Sequence, residues 1–182
     1  MTHTTRTHAT PRTLKHLFSA CALVTGLFST ASSATSIQAL EIAGYVEKVQ
    51  IAGTDLVFEA RLDSGATTSS LNALDLEAFE RDGKDWVRFD VVDPTDKNKR
   101  ISLEYPVKRN VRIVRHDGNH QNRPVIQLPL CIGTHERLED VSLVDRSELT
   151  YQLLVGRNHM RGSILIDSGK RFMHEPSCSS AS

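Results

Sequence analysis

The sequence predicts an all-β fold, a barrel or a sandwich, on three observations. From Gly44 onward the hydrophobic period is close to two, turn-forming stretches cut the apolar runs into three hairpins, and no helical pattern exceeds about three turns. The first hairpin is GYVEKVQI, the turn AGTD and LVFEARL, in which Leu56, Phe58, Ala60 and Leu62 share one face and lead to Asp63. Next, NALDLEAFERDG reads as a short helix capped by Asn72. WVRFDVVD, the turn PTDKNK and RISLEYPV make a second hairpin with Val87, Phe89 and Val91 facing inward. The third runs from PVIQLPLCIG through a tight turn near Gly133 into LEDVSLVD.

With 182 residues, 39% hydrophobic and only 5% aromatic, the chain can build one modest core and one domain. Residues 1–34 stand outside it. Arg6, Arg12 and Lys15 form a basic start without acids, LFSACALVTGLF is apolar, and STASSA supplies small residues before a cut near Ala34. This pattern predicts a secretory signal peptide and an exported, periplasmic or secreted protein with no permanent membrane span. A lipoprotein site at Cys21 fits poorly, because the apolar run continues past that cysteine. The expected layout is a leader over 1–34, a linker over 35–43, a domain over 44–174 and a disordered tail over 175–182. Three of the 22 basic residues leave with the leader and none of the 22 acidic ones, so the mature chain carries a net charge of −3. Nothing in that balance attracts nucleic acid. An oxidising compartment permits a bond between Cys131 and Cys178, although the Ser-rich tail EPSCSSAS argues for disorder instead.

The stretch most suited to chemistry is RLDSGATTSSL. A bare Asp-Ser-Gly is a turn, since Asp bonds to the backbone two residues on and Gly tolerates positive φ. Here an apolar strand precedes Asp63, and Ala66 with hydroxyl residues follows Gly65. This resembles the D-(S/T)-G-A motif of retropepsin-like aspartic peptidases. A second landmark, QLLVGRNHM, is similar to the apolar-apolar-Gly-Arg-Asn segment of the retroviral enzymes, and a hairpin precedes it as expected. The similarity extends from about Gly44 to Phe172 in a bacterial branch named ATP-dependent zinc proteases. Its pattern includes FERDGKDWVRF, RPVI, LVDRSELTYQLLVGR and GSILID. The branch name finds no support in the residues: there is no G-x-x-x-x-G-K-(S/T) for ATP phosphates and no H-E-x-x-H for a catalytic zinc.

The resemblance implies a closed retropepsin-like barrel with one lobe per chain, no cofactor, and an aspartic endopeptidase acting on peptide or protein substrates. Asp63 is its catalytic residue, supported by Ser64, Gly65, Ala66, Gly156 and Arg157. Peptide hydrolysis by water needs one carboxylate to accept a proton and a second carboxyl to donate one. Two carboxyls at such short range share a proton and titrate as a pair. One D-S-G-A supplies half of the pair, so a homodimer is expected, with Asp63 contributed twice across a two-fold axis.

Two departures from the viral pattern stand out. Thr67 occupies the place of the acid that partners the Arg of Gly-Arg-Asn, so Arg157 is expected to find another acid. The flap segment is longer, with VRIVRHDGNHQNRP and Gly118 as a candidate cover. The second tripeptide, Asp167-Ser168-Gly169, is followed by Lys170 and Arg171 rather than by Ala and hydroxyls, and reads as a turn closing the strand SILI, itself expected near the dimer interface. His116, His120, Cys131 and His135 could form a structural zinc site on ligand type, but neither strand nor loop enforces the geometry. Serine catalysis lacks a G-x-S-x-G elbow. The other class that remains open is a catalytically idle binding module of the cell envelope, with a zinc-dependent hydrolase behind it.

Overall fold

The computed structural model describes Met1 and residues 39–114 and 120–178. The expected leader over 1–34 therefore lies outside the described residues, apart from Met1. Among those described are β1 (Glu41–Ile51), β2 (Val57–Asp63), β3 (Ser69–Asn72), β4 (Leu74–Arg81), β5 (Lys84–Val92) and β6 (Arg100–Pro106). They continue with β7 (Arg109–Val114), β8 (His120–Ile132), β9 (His135–Val144), β10 (Leu153–Gly156), the one-turn helix α1 (Arg157–Met160) and β11 (Ile164–Arg171). The strand begun at Glu41 takes the last three residues expected as linker, and Ala43 is fully buried.

The fold is all-β. The main sheet runs β11-β1-β2-β10-β3-β9-β8-β7, and β1 also pairs with β8 through Val49↔Ile132, Gln50↔Cys131 and Ile51↔Leu130. That last pairing returns the ring β1-β2-β10-β3-β9-β8 to its start, so the strand pairings close a barrel with β11 and β7 as extensions. β4, β5 and β6 form a separate three-stranded sheet. Its inward residues Val87, Phe89 and Val91 join Phe58, Leu71, Ile126 and Leu153 in one apolar core. The alternation that predicted the hairpins is the cause: Val87, Phe89 and Val91 on β5 and Ile126, Leu128, Leu130 and Ile132 on β8 are removed from water, at about 25 cal/mol per Å² of apolar surface.

All three expected hairpins form, as β1–β2, β5–β6 and β8–β9. The expected helix over NALDLEAFERDG does not form; the segment is β4, paired antiparallel with β5. Asp82 and Gly83 both take positive φ, 52° and 69°, the conformation of the two-residue hairpin turn that Asp-Gly favours. Pairing with β5 therefore outweighs the weak helical spacing of Leu74, Ala78 and Arg81.

The tail is also ordered as far as Cys178, against expectation; residues 179–182 lie outside the described set. Phe172 N–H donates to the Val46 carbonyl, and the N–H groups of Met173 and His174 donate to the buried carboxylate of Glu47, which also accepts from Gly44. His174 meets Glu41 at 3.0 Å, and Ser177 N–H donates to the Gly133 carbonyl. Cys131 and Cys178 are joined by a disulfide with Cα atoms 5.9 Å apart. Composition suggested disorder because all of these partners lie far away in sequence.

Asp93 organises the β5–β6 connection. Its Oδ1 accepts from the Thr95 hydroxyl and backbone N–H, and Lys99 Nζ lies 3.1 Å from Oδ2. These contacts, the Thr95 hydroxyl first, hold the carboxyl down at about 2. A depressed folded pKa stabilises above the unfolded value and ceases to as pH falls through the folded one. Asp93→Ala is thus expected to lower the melting temperature near neutral pH, and the difference from wild type should shrink between about pH 4 and pH 2. A pH-independent difference would contradict the assignment.

Candidate active site

β10 is inserted between two strands, parallel to β2 and antiparallel to β3, and its register sets Gly156 opposite Asp63. Asp63 ends β2, half-buried, at the point where the chain turns through the exposed residues Ser64 and Gly65. The turn closes locally: Gly65 N–H donates to Asp63 Oδ1 at 2.9 Å, and Ala66 N–H reaches the Asp63 carbonyl at 3.3 Å. One carboxylate oxygen is thereby fixed by a backbone amide.

Gly156 and Arg157 hold this turn from below. A Cβ on Gly156 would sit 2.7 Å from the Thr68 carbonyl carbon and 2.9 Å from the Thr67 oxygen, so only glycine allows the approach. Arg157 N–H donates to the Ala66 carbonyl at 2.9 Å and Asn158 N–H to that of Thr67 at 3.2 Å. The Arg157 guanidinium spreads over the turn, with Nη1 3.1 Å from the carbonyls of Ser64 and Gly65 and Nη2 2.7 Å from Thr67 Oγ1. The acid expected as its partner is not used. Thr67 takes the acid's place with its hydroxyl, and two carbonyls turned toward the guanidinium supply the remaining acceptors. Ser64, Gly65 and Ala66 thus form the turn that follows Asp63, and Gly156 and Arg157 pack and bond against it.

Two surfaces flank the turn. Ser64 and Arg157 border a depression of about 590 Å³ walled by Met160, Ile164, Leu165 and Leu40. Leu40 and Leu165 in this wall are each more than half exposed, as is Ile42, the register partner of Leu165 on β1. On the other side, Ala66 and Thr68 face Arg109, Val111, Ile113 and Arg123 across a cleft of about 330 Å³. The expected cover is a hairpin, β7–β8, and it forms that far wall. Its tip, with Gly118 and His116, lies outside the described residues. Arg146 braces the cleft's base by donating to Ser70 Oγ and the Tyr151 carbonyl. Burial, and next the charge of Arg123, push its pKa down.

Asp167 repeats the local bond of Asp63, with Gly169 N–H donating to its Oδ1 at 2.8 Å, but the surroundings differ. It does not close a strand; β11 continues to Arg171, and the pairing steps from Gly44↔Asp167 to Val46↔Arg171. The tripeptide is a bulge against β1, and its one side-chain bond among the described residues is that to Gly169 N–H. Three of the candidate zinc residues are described: Cys131 is in the disulfide, His135 pairs with Glu41 at 3.0 Å, and His120 is exposed on β8. Among the described residues no group of three or more His, Cys, Asp or Glu is placed to hold a metal. Sequence reasoning missed Ser69 and His159, which are both buried and bond to each other at 2.7 Å.

A solved structure of a protein of unknown function from Legionella pneumophila matches with a TM-score of 0.64 at 30% identity, covering 74% of this chain and 98% of that one. Similar curated proteins carry the name "probable alpha-L-glutamate ligase". That of Desulfotalea psychrophila is 34% identical over 110 residues, which is 60% of this chain and 24% of the relative. That of Parasynechococcus marenigrum is 34% identical over 128 residues, 69% of this chain and 28% of the relative. The matched part is about a quarter of the length of those relatives. Residues 42–177 match the family model described as RimB-like, retropepsin-like aspartic endopeptidase RimB. A strand-end Asp-Ser-Gly-Ala turn clamped by Gly-Arg-Asn, in a β-fold matched over residues 42–177, makes this chain a member of the RimB-like family of retropepsin-like aspartic endopeptidases.

Proposed function

We propose that the protein is an exported, homodimeric aspartic endopeptidase with Asp63 of each copy at its centre. The observation that carries this reading is the rigid seat of Asp63, one oxygen held by Gly65 N–H and the turn clamped by Arg157. In the dimer the two Asp63 carboxyls share one proton. The ionised one accepts a proton from water as the water oxygen bonds to the peptide carbon; the protonated one gives its proton to the carbonyl oxygen. Collapse of the tetrahedral adduct then breaks the C–N bond, and the amine leaves with a proton returned from the pair. The exposed Leu40 and Leu165 in the depression beside Ser64, with Ile42 paired to Leu165, support this as the surface where two copies meet, bringing the two turns together. The leader-like N-terminus and the Cys131–Cys178 bond favour export.

The relatives named as glutamate ligases, and Arg109, Arg123 and Arg146 around the cleft, favour peptides with acidic side chains. A catalytically idle binding module would use the same cleft without turnover.

Purified mature protein should sediment as a dimer, digest acidic members of a peptide library ahead of basic ones, and lose specific activity on dilution below its dissociation constant. A monomer with full activity would sink the shared-site mechanism. Stoichiometric binding of library peptides without cleavage at any pH would favour the idle module.

A further inference from the structure

His159 sits on α1 directly after Gly156-Arg157-Asn158, 3% exposed, and the chemistry above does not use it. Its ring nitrogens have unlike partners. Nε2 faces the Leu128 carbonyl oxygen at 3.4 Å, a group that can only accept, so Nε2 carries the ring proton. Nδ1 of the neutral ring is then an acceptor, and the Ser69 hydroxyl donates to it at 2.7 Å. With its proton committed there, the Ser69 oxygen accepts the Gly156 N–H at 2.9 Å. Donation runs in one direction, from Gly156 through Ser69 and His159 to Leu128. Gly156 is the register partner of Asp63.

We infer that His159, acting through Ser69, is a positioning residue of this peptidase, holding the Gly156 edge of the catalytic turn in place while its ring is neutral. The inference rests on the aspartic-peptidase reading. A second ring proton would convert Nδ1 into a donor. The Ser69 hydroxyl would lose its acceptor in a buried site, and the relay to Gly156 would reorganise. Burial first keeps the His159 pKa below its ordinary value. Of the neighbours, the Leu128 carbonyl on β8 and Glu139 and Asp140 on β9 favour the charged ring, while Arg137 on β9 disfavours it. Arg137 also donates to the Asn158 carbonyl and the Ser163 hydroxyl, packing β9 against α1. Turnover on the acid side should therefore fall as the ring charges.

The test compares wild type, Asp63→Asn, His159→Asn and His159→Phe, with peptide turnover measured between about pH 3 and pH 8. Melting temperatures and an NMR titration of the His159 ring and the Gly156 amide accompany it. Asparagine restores an acceptor for Ser69 and does not titrate. His159→Asn should retain most turnover near neutral pH and shift the acid arm of kcat downward. His159→Phe should lose about tenfold to a hundredfold in kcat with KM little changed, the range expected when a catalytic group is displaced by about 1 Å. Wild-type kcat in His159→Phe, or a wild-type acid arm in His159→Asn, would overturn the inference; if the Phe variant does not fold, the Asn profile decides alone. Absence of Asp63-dependent cleavage in wild type would overturn the peptidase reading instead. The relay is then read from the Gly156 amide shift, which should titrate with the His159 ring, and a shift that does not would refute it.

Discussion

Asp63→Asn is expected to leave a folded dimer whose peptide turnover is lower by about a thousandfold or more. Asparagine keeps the Oδ1 that accepts the Gly65 N–H, so the local turn survives. What disappears is the ionisable group, and it disappears from both sides of the proposed axis at once, leaving no carboxylate to accept the proton of water. Asp167→Asn is the matched control. It also keeps the Oδ1 that accepts an N–H two residues on, and it lies in an exposed bulge of β11. It should cost no more than about 0.5 kcal/mol and leave turnover close to wild type. Similar melting temperatures with opposite activities are the expected pair of results. Loss of turnover in Asp167→Asn with the dimer intact would show that the wrong tripeptide was chosen.

The largest stability effect is expected from the cross-link. Cys131 and Cys178 are separated by 47 residues, and closing a loop of that length removes about 4 kcal/mol of unfolded-state freedom in the chain-entropy account. Cys178→Ser should lower the melting temperature by on the order of 10 °C, and reducing agent should bring wild type to the same value. The Cys131 side of the bond is fully buried on β8, so the variant is made at Cys178, which leaves the core volume unchanged. Equal melting temperatures for oxidised, reduced and Cys178→Ser protein would show that the hydrogen bonds to Glu47 and Gly133 order the tail without the bond.

What the sequence disclosed follows from the range over which each interaction acts. Hairpins β1–β2, β5–β6 and β8–β9 were legible because alternation and turn chemistry are local. β4 was misread although its Asp-Gly turn was present, since Asn72 reads as a helix cap and the deciding pairing with β5 cannot be seen in the segment itself. The Asp63 turn was legible as a motif, but the acceptors of Arg157 were not, because two of the three are backbone carbonyls, which every residue has. The burial of Glu47 could not be read locally either, since it is compensated by Met173 and His174, which come from the other end of the chain. His159 was invisible for a similar reason, since its partners Ser69 and Leu128 arrive from two other strands.

The seam between β1 and β11 also bears on time. Glu41 pairs with Ile164, so one edge of the first strand waits for residues made long after it, while the other edge can pair with β2 at once. Contacts so distant in sequence are slow to form, because the loop must be closed before they return anything. A growing chain thus exposes Asp63 well before Gly156 and Arg157 exist to seat it, and the ring of strands stays open until synthesis is nearly finished. On the proposed export route, a chain that cannot yet close remains threadable through a translocation channel until its last strands are made.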